Sequence, residues 1–436
     1  MVPRKEEQIY LLSNKDLSIT YDDDKDTATA SSALQSFYKK NRLMTISLIL
    51  LLLLGLLLII DYKEDVFVGT GPYKLRECQE GDDFWDAYEF YNGEDSLGSA
   101  GYNIYVGKNE AVDLGLVSSV IRNKSSPLIR MESSVNPLNT SAPRRSVRLE
   151  GKKRYDSGLF LLSLKHMPTG CGVWPAFWLT DEPVWPKHGE IDILEGINTQ
   201  STAKTALHTR EMCSMYSHIP DYAKTGSWDW ATGIPDRWTG VPDFETKKEA
   251  DDCWASSAHQ WYNQGCVAVS ESNSSLGKSM NDNDGGVYAL EWDPANGYIK
   301  SWVFRREGFP SNLKDAMATA SDKKRIIPDP NTWGLPYAYF AIGPETGCSA
   351  DHFHNMRIVF NLAFCGAVAG NRFAKDCPTL AKQYDQNGDS WQACNAYLRS
   401  NPKQLKEEAY WLIEGVYIYQ RELELVKGKS NTTNSS

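Results

Sequence analysis

The sequence predicts an all-β fold, a sandwich or jelly roll, preceded by a single transmembrane helix. Three observations carry this. From Phe84 onward, short apolar and aromatic segments alternate with Gly, Asn, Asp and Pro, the pattern of short strands joined by turns. Leu43 to Ile60 is an uncharged, leucine-rich run, at the short end of the range that spans a bilayer. Between residues 83 and 421 no internal repeat and no second core pattern appears, so that span reads as one domain.

Residues 1–42 are polar, lack hydrophobic periodicity and carry an acidic run at Asp22-Asp23-Asp24, so they are expected to form a disordered cytoplasmic tail. Within them Glu7-Gln8-Ile9-Tyr10-Leu11-Leu12 fits an acidic dileucine sorting signal, a short pattern that also arises by chance. Residues 43–60 are the expected signal-anchor. The run ends in Asp61-Tyr62-Lys63-Glu64-Asp65, which offers no cleavage site for a signal peptide. Lys39, Lys40 and Arg42 precede it, which places the N-terminus in the cytoplasm and the remainder in a lumen or outside, a single-pass type II topology. All nine cysteines and the sequons at Asn123, Asn139, Asn273, Asn431 and Asn434 follow the run, consistent with an oxidising, glycosylating compartment. The odd count leaves at least one thiol without an intrachain partner, and no C-x-x-C pair suggests zinc. Residues 61–82, with Gly69, Gly71 and Pro72, read as a linker, and 422–436 as a polar tail. The net charge of −10 argues against a nucleic-acid partner.

The chemistry concentrates in His188-Gly189-Glu190-Ile191-Asp192-Ile193-Leu194-Glu195-Gly196. Ile191, Ile193 and Leu194 give this stretch strand character. Side chains alternate along a strand, so Glu190 and Asp192 share a face. Glu195 is five positions from Glu190 and falls on the opposite face unless a β-bulge near Ile193-Leu194 returns it. Three acids on one face suit glycoside chemistry, in which one carboxylate attacks and another supplies a proton. A charged, solvent-facing edge strand is the competing explanation. Trp174, Trp178 and Trp185 lie just upstream; indole faces suit sugar rings, and each is equally able to pack in a core.

The run Gly172-Val173-Trp174-Pro175-Ala176-Phe177-Trp178, followed by Gly189-Glu190-Ile191-Asp192-Ile193-Leu194-Glu195-Gly196, resembles glycoside hydrolase family 16 in its fungal laminarinase or endo-1,3(4)-β-glucanase branch. Ser146–Glu150, Leu207-His208-Thr209, Gly286–Trp292 and Asn361–Gly366 extend the resemblance from about Asp83 to Gln420. The resemblance implies a jelly-roll whose concave face forms a cleft for β-glucan. It implies Glu190 as nucleophile, Glu195 as acid/base and Asp192 as the residue that holds Glu190 through a hydrogen bond. It implies no metal or other cofactor in the reaction; family members often carry a structural calcium, and no ligand cluster in the sequence marks one. Trp174, Trp178 and Trp185 become candidate sugar contacts. His208 is a candidate cleft residue or a structural hydrogen-bond partner, and Arg148 a contact to a sugar hydroxyl or half of a structural salt bridge. Two departures from the fungal pattern bear on substrate. Ser217 to Gln260, with Trp228, Trp230, Trp238 and Trp254, reads as an insertion that either lids the cleft or packs on the barrel or on a partner. Ala367 and Val368 stand where the fungal enzymes tend to have Asp and Trp, which removes a stacking platform. The type II topology resembles that of fungal membrane proteins of β-glucan assembly. Hydrolysis, transglycosylation and non-catalytic glucan binding remain the three functions to separate.

Overall fold

The computed structural model describes residues 66–68, 71–422 and 424–426, apart from 96–98, 121–126, 137–138, 140, 216–222, 232–248, 259 and 323–324. The predicted tail, the predicted anchor at 43–60, Trp238 and most of the polar C-terminal tail lie outside the described residues. Among the described residues, no helix is long and apolar enough to cross a membrane.

Within the unit Phe67–Leu425, two eight-stranded sheets carry the core between them. The sheet that bears the acids contains, in chain order, β1 (Tyr88–Phe90), β2 (Arg148–Gly151), β3 (Val173–Thr180), β4 (Glu190–Glu195), β5 (Lys204–His208), β6 (Ser227–Trp228), β7 (Cys266–Val269) and β8 (Arg357–Phe364). Its spatial order is β6-β7-β5-β4-β3-β8-β2-β1, every adjacent pair antiparallel. The second sheet is built around Gly158–His166, Gly286–Asp293, Tyr298–Arg305 and Trp411–Arg421. Alternate residues from each sheet, among them Phe177, Ile191, Phe360, Phe160, Leu290 and Ile418, are fully buried and meet in the middle. This is the inward-facing alternation that defines a β-sandwich. Pro175 is tolerated inside the central strand β3 because pairing with β4 starts only at Ala176, so its missing N–H breaks no ladder bond there.

Two boundaries differ from the sequence expectation. Tyr73–Glu80, read as part of the linker, is a strand that pairs with Trp411–Arg421 from Tyr73↔Arg421 to Glu80↔Gly415. It is an edge strand whose outward positions are charged, so its polarity imitates a linker. Glu424–Val426 is a further short strand inside the expected polar tail. A helical excursion also interrupts the all-β plan: Phe373–Asp376, Pro378–Gln383, Ser390–Ser400 and Pro402–Glu408. Asp389 caps the longest of these, accepting from the backbone N–H groups of Trp391 and Gln392.

Eight cysteines pair as Cys171–Cys377, Cys213–Cys348, Cys253–Cys266 and Cys365–Cys394. The first and last tie the helical excursion to the sheet, and Cys78 is the odd thiol. In the insertion, Trp228 packs edge-on against Phe340, Ala250 is buried with Ala206 and Val267, and Trp230 is exposed. The described part of the insertion therefore packs onto the sheet.

Candidate active site

The three acids lie on β4, second neighbour to β8 through β3 and directly beside β5. Register shows how they converge. Glu195 faces Ala176, Asp192 faces Trp178 and Glu190 faces Thr180, so all three oppose alternate residues of one strand. Between Phe177 and Trp178 the register slips: Leu194 faces Phe177, Asp192 faces Trp178, and Ile193 has no opposite residue. This is the bulge that the odd spacing requires. Ile193 and Leu194 both enter the core, and Glu195 returns to the outer face with Glu190 and Asp192.

Each outer carboxylate is held by an indole. Trp174 Nε1–H donates to Glu195 Oε1 at 2.7 Å, and Trp185 Nε1–H donates to Glu190 Oε2 at 2.7 Å. Trp174 and Trp185, both candidate sugar contacts, commit their polar edges to the acids. Trp174 is only 8% exposed, packed with Ile197, Ala363, Ala369 and Val368, so it presents little face for stacking. Trp178 is partly exposed and donates to Asn361 Oδ1 at 2.7 Å.

His208 sits opposite Glu190 on β5. Its Nε2 is 3.1 Å from Asp192 Oδ2 and 3.7 Å from Glu190 Oε1. An imidazole thus faces both Glu190 and Asp192, the residue expected to hold Glu190 through a hydrogen bond. Arg148 resolves toward the salt-bridge alternative: Nε is 3.0 Å from Glu150 Oε1, and the guanidinium lies 5.3 Å from the ring centres of both Trp178 and Tyr91. Arg357 bridges Glu150 and Glu182, at 2.6 and 2.5 Å. Asn361, Arg357 and Glu182 were not singled out from the sequence. Asn361 opens the run Asn361–Gly366 and alternates with apolar neighbours on β8, the one signal that marked it as outward-facing.

Electrostatics follow from burial. Removal from water pushes the Glu190 carboxyl up to about 8, and the negative charges of Asp192 and then Glu195 add to this, against His208 and the Trp185 N–H. Burial, then Glu195, pushes Asp192 well above the ordinary carboxyl range. Two buried acids this close share protons as a unit. Asp192 is the more deeply buried, 4% exposed against an intermediate Glu190. A proton resting on Asp192 leaves Glu190 ionised, with an N–H from Trp185 on one oxygen and His208 near the other. Glu190, Asp192 and His208 also form the one set among the described residues with donor atoms close enough to share a metal ion, all within 4.8 Å of one another.

Chemically, this is a pair of indole-held carboxylates on one face, with a third acid and an imidazole behind one of them. Residues 88–419 match the model of the XgeA-like catalytic domain of glycoside hydrolase family 16. The chain is 33% identical over 371 residues to an endo-1,3(4)-β-glucanase of Arthroderma benhamiae, covering 84% of this chain and 68% of that one. It is 32% identical to the endo-1,3(4)-β-glucanase xgeA of Emericella nidulans over 80% of this chain, but spans only 47% of that protein. A crystal structure of an elongating family-16 β-1,3-glucosyltransferase aligns with a TM-score of 0.62 at 31% identity, over 80% of this chain and 99% of that one. A catalytic-domain match over residues 88–419, a β-sandwich and a bulged strand of three acids thus coincide, and the chain belongs to glycoside hydrolase family 16, as an enzyme of the glycosidase or transglycosylase class.

Proposed function

We propose that this enzyme cleaves or rearranges β-1,3- or mixed 1,3/1,4-glucan within the chain, with retention, through a glycosyl-enzyme intermediate. The observation that carries the proposal is the bulge at Ile193, which sets Glu195 beside Glu190 on one face. Glu190 attacks the anomeric carbon. Glu195 gives its proton to the departing oxygen, then takes one from the incoming water or sugar hydroxyl. A proton held on Asp192, together with His208, keeps Glu190 ionised and oriented. The names of the relatives support β-glucan as substrate, and likeness to an elongating glucosyltransferase favours transfer as a second outcome of the same intermediate. We further propose a type II membrane protein, anchored through 43–60, whose catalytic domain works on glucan in a lumen or at the cell surface.

The test is product analysis by mass spectrometry after incubation with laminari-oligosaccharides, beside the Glu190→Gln variant. Products longer than the input mean transfer and shorter ones mean hydrolysis. Glu190→Gln should lower kcat by several orders of magnitude, about 5 kcal/mol of transition-state stabilisation, with folding intact. No product from wild-type protein that still binds glucan leaves a glucan-binding protein as the function.

A further inference from the structure

Three acid groups crowd one face of the strand with little positive charge beside them. Among the described residues, the only basic group within ion-pair range of Glu190, Asp192 or Glu195 is His208. That imidazole is itself buried and points Nε2 at two carboxylates, 3.1 and 3.7 Å away. Ligand atoms at about 2.0–2.2 Å from a tetrahedral cation stand about 3.3–3.6 Å from one another. The two distances straddle that edge length, and the three donors lie within 4.8 Å of one another. We infer that a divalent cation of the zinc class binds reversibly across Glu190, Asp192 and His208 and takes Glu190 out of action.

The donor set selects the ion. One imidazole nitrogen and two carboxylates suit zinc or copper, whereas magnesium and calcium need six or more oxygens that this buried face does not supply. Entry of the ion releases to solvent whatever protons those atoms hold, and water fills the fourth position. The site is dissociable rather than resident. A metal-bound histidine ordinarily donates its other ring N–H to an acceptor. Here Nδ1 is buried without a partner among the described residues, and the ring is packed so closely on Gly265 that a Cβ there would come within 2.9 Å of Nδ1. The structure thus supplies ligands without the second set of contacts that makes binding tight.

Calorimetric titration of the full-length chain, stripped with a chelator and dialysed, tests this with zinc chloride and, in parallel, magnesium chloride. One zinc per chain is expected, with no magnesium heat at the same concentrations. His208→Ala should weaken zinc at least tenfold. If that variant loses its far-UV spectrum, Glu190→Gln, which keeps the shape and removes one anionic ligand, should weaken zinc by the same criterion. Zinc affinity within twofold of wild type in the folded variant overturns the inference, as does equal binding of magnesium. Only the effect on turnover rests on the proposed function; the calorimetric result stands or falls whether or not glucan is cleaved.

Discussion

At the scale of single residues, Glu190 and Glu195 differ in what surrounds them. Glu190 has Trp185, Asp192 and His208 near it; Glu195 has Trp174 and lies at the end of the strand. Their proposed roles predict opposite responses to rescue. In Glu195→Ala an activated aryl glycoside still leaves unaided, so the glycosyl-enzyme should accumulate. Azide needs no base and should restore turnover, giving a glycosyl azide of β configuration. In Glu190→Ala azide should attack the opposite face and give the α product. Product configuration read by NMR checks both; swapped configurations reverse the roles, and no rescue of either folded variant defeats catalysis.

At the scale of elements, the bulge on β4 is the feature on which the site depends. Deleting Ile193 removes the unpaired residue, so unbroken alternation by itself leaves Glu195 on the same face as Glu190 and Asp192. The expected result is a folded variant that keeps activity, with a melting temperature lowered by several degrees because one buried side chain is lost. Ile193→Val removes one methylene at the same place, should cost about 0.5–1.5 kcal/mol and should keep activity. Turnover abolished in the folded deletion variant would show that the bulge does more than return Glu195 to the face of Glu190. A second element contact links the end of strand Gly158–His166 to helix Gly277–Asn281. His166 Nδ1–H donates to the Tyr410 carbonyl, and Nε2 accepts from Asn281 Nδ2, so the ring is held neutral. Burial, with Arg130 opposing a second positive charge, brings His166 down to about 4. The unfolded chain takes up that proton near pH 6.5, so between 6.5 and 4 the unfolded state binds more protons and stability falls as pH falls. His166→Phe should lessen that acid-side loss by roughly 2 kcal/mol at pH 4, measured by denaturant melts across pH. His352, also held low by burial, keeps part of the slope in the variant. A slope unchanged by His166→Phe would rule out this contribution.

At the scale of the whole molecule, the proposed anchor sets which compartment holds the active site. Protease added to intact microsomes should trim only the N-terminal tail, and glycosidase should then shift the mass of the protected fragment. An N-terminal epitope that survives protease reverses the orientation. The four disulfides fit the same compartment, and two of them hold the helical excursion of 373–408 against the sheet. Replacing both Cys365 and Cys394 with Ser should cost about 2–4 kcal/mol in a denaturant melt under oxidising conditions, and no change under those conditions would show the bridge to be unimportant.

The sequence alone determined the sandwich, the strand that carries the acids and the need for a bulge, because each follows from local order: alternation has period two, and an odd offset between Glu190 and Glu195 contradicts it. It did not determine the outer boundary of the domain, since the charged edge strand Tyr73–Glu80 is recognised only by its pairing with Trp411–Arg421. Nor did it reveal that the N–H groups of Trp174 and Trp185 donate to the carboxylates, or that His208 stands close to both Asp192 and Glu190. Those facts depend on which side chains the antiparallel register brings face to face across β3, β4 and β5 and on which atoms burial deprives of water. Both are properties of residues distant along the chain, and only the folded sheet brings them together.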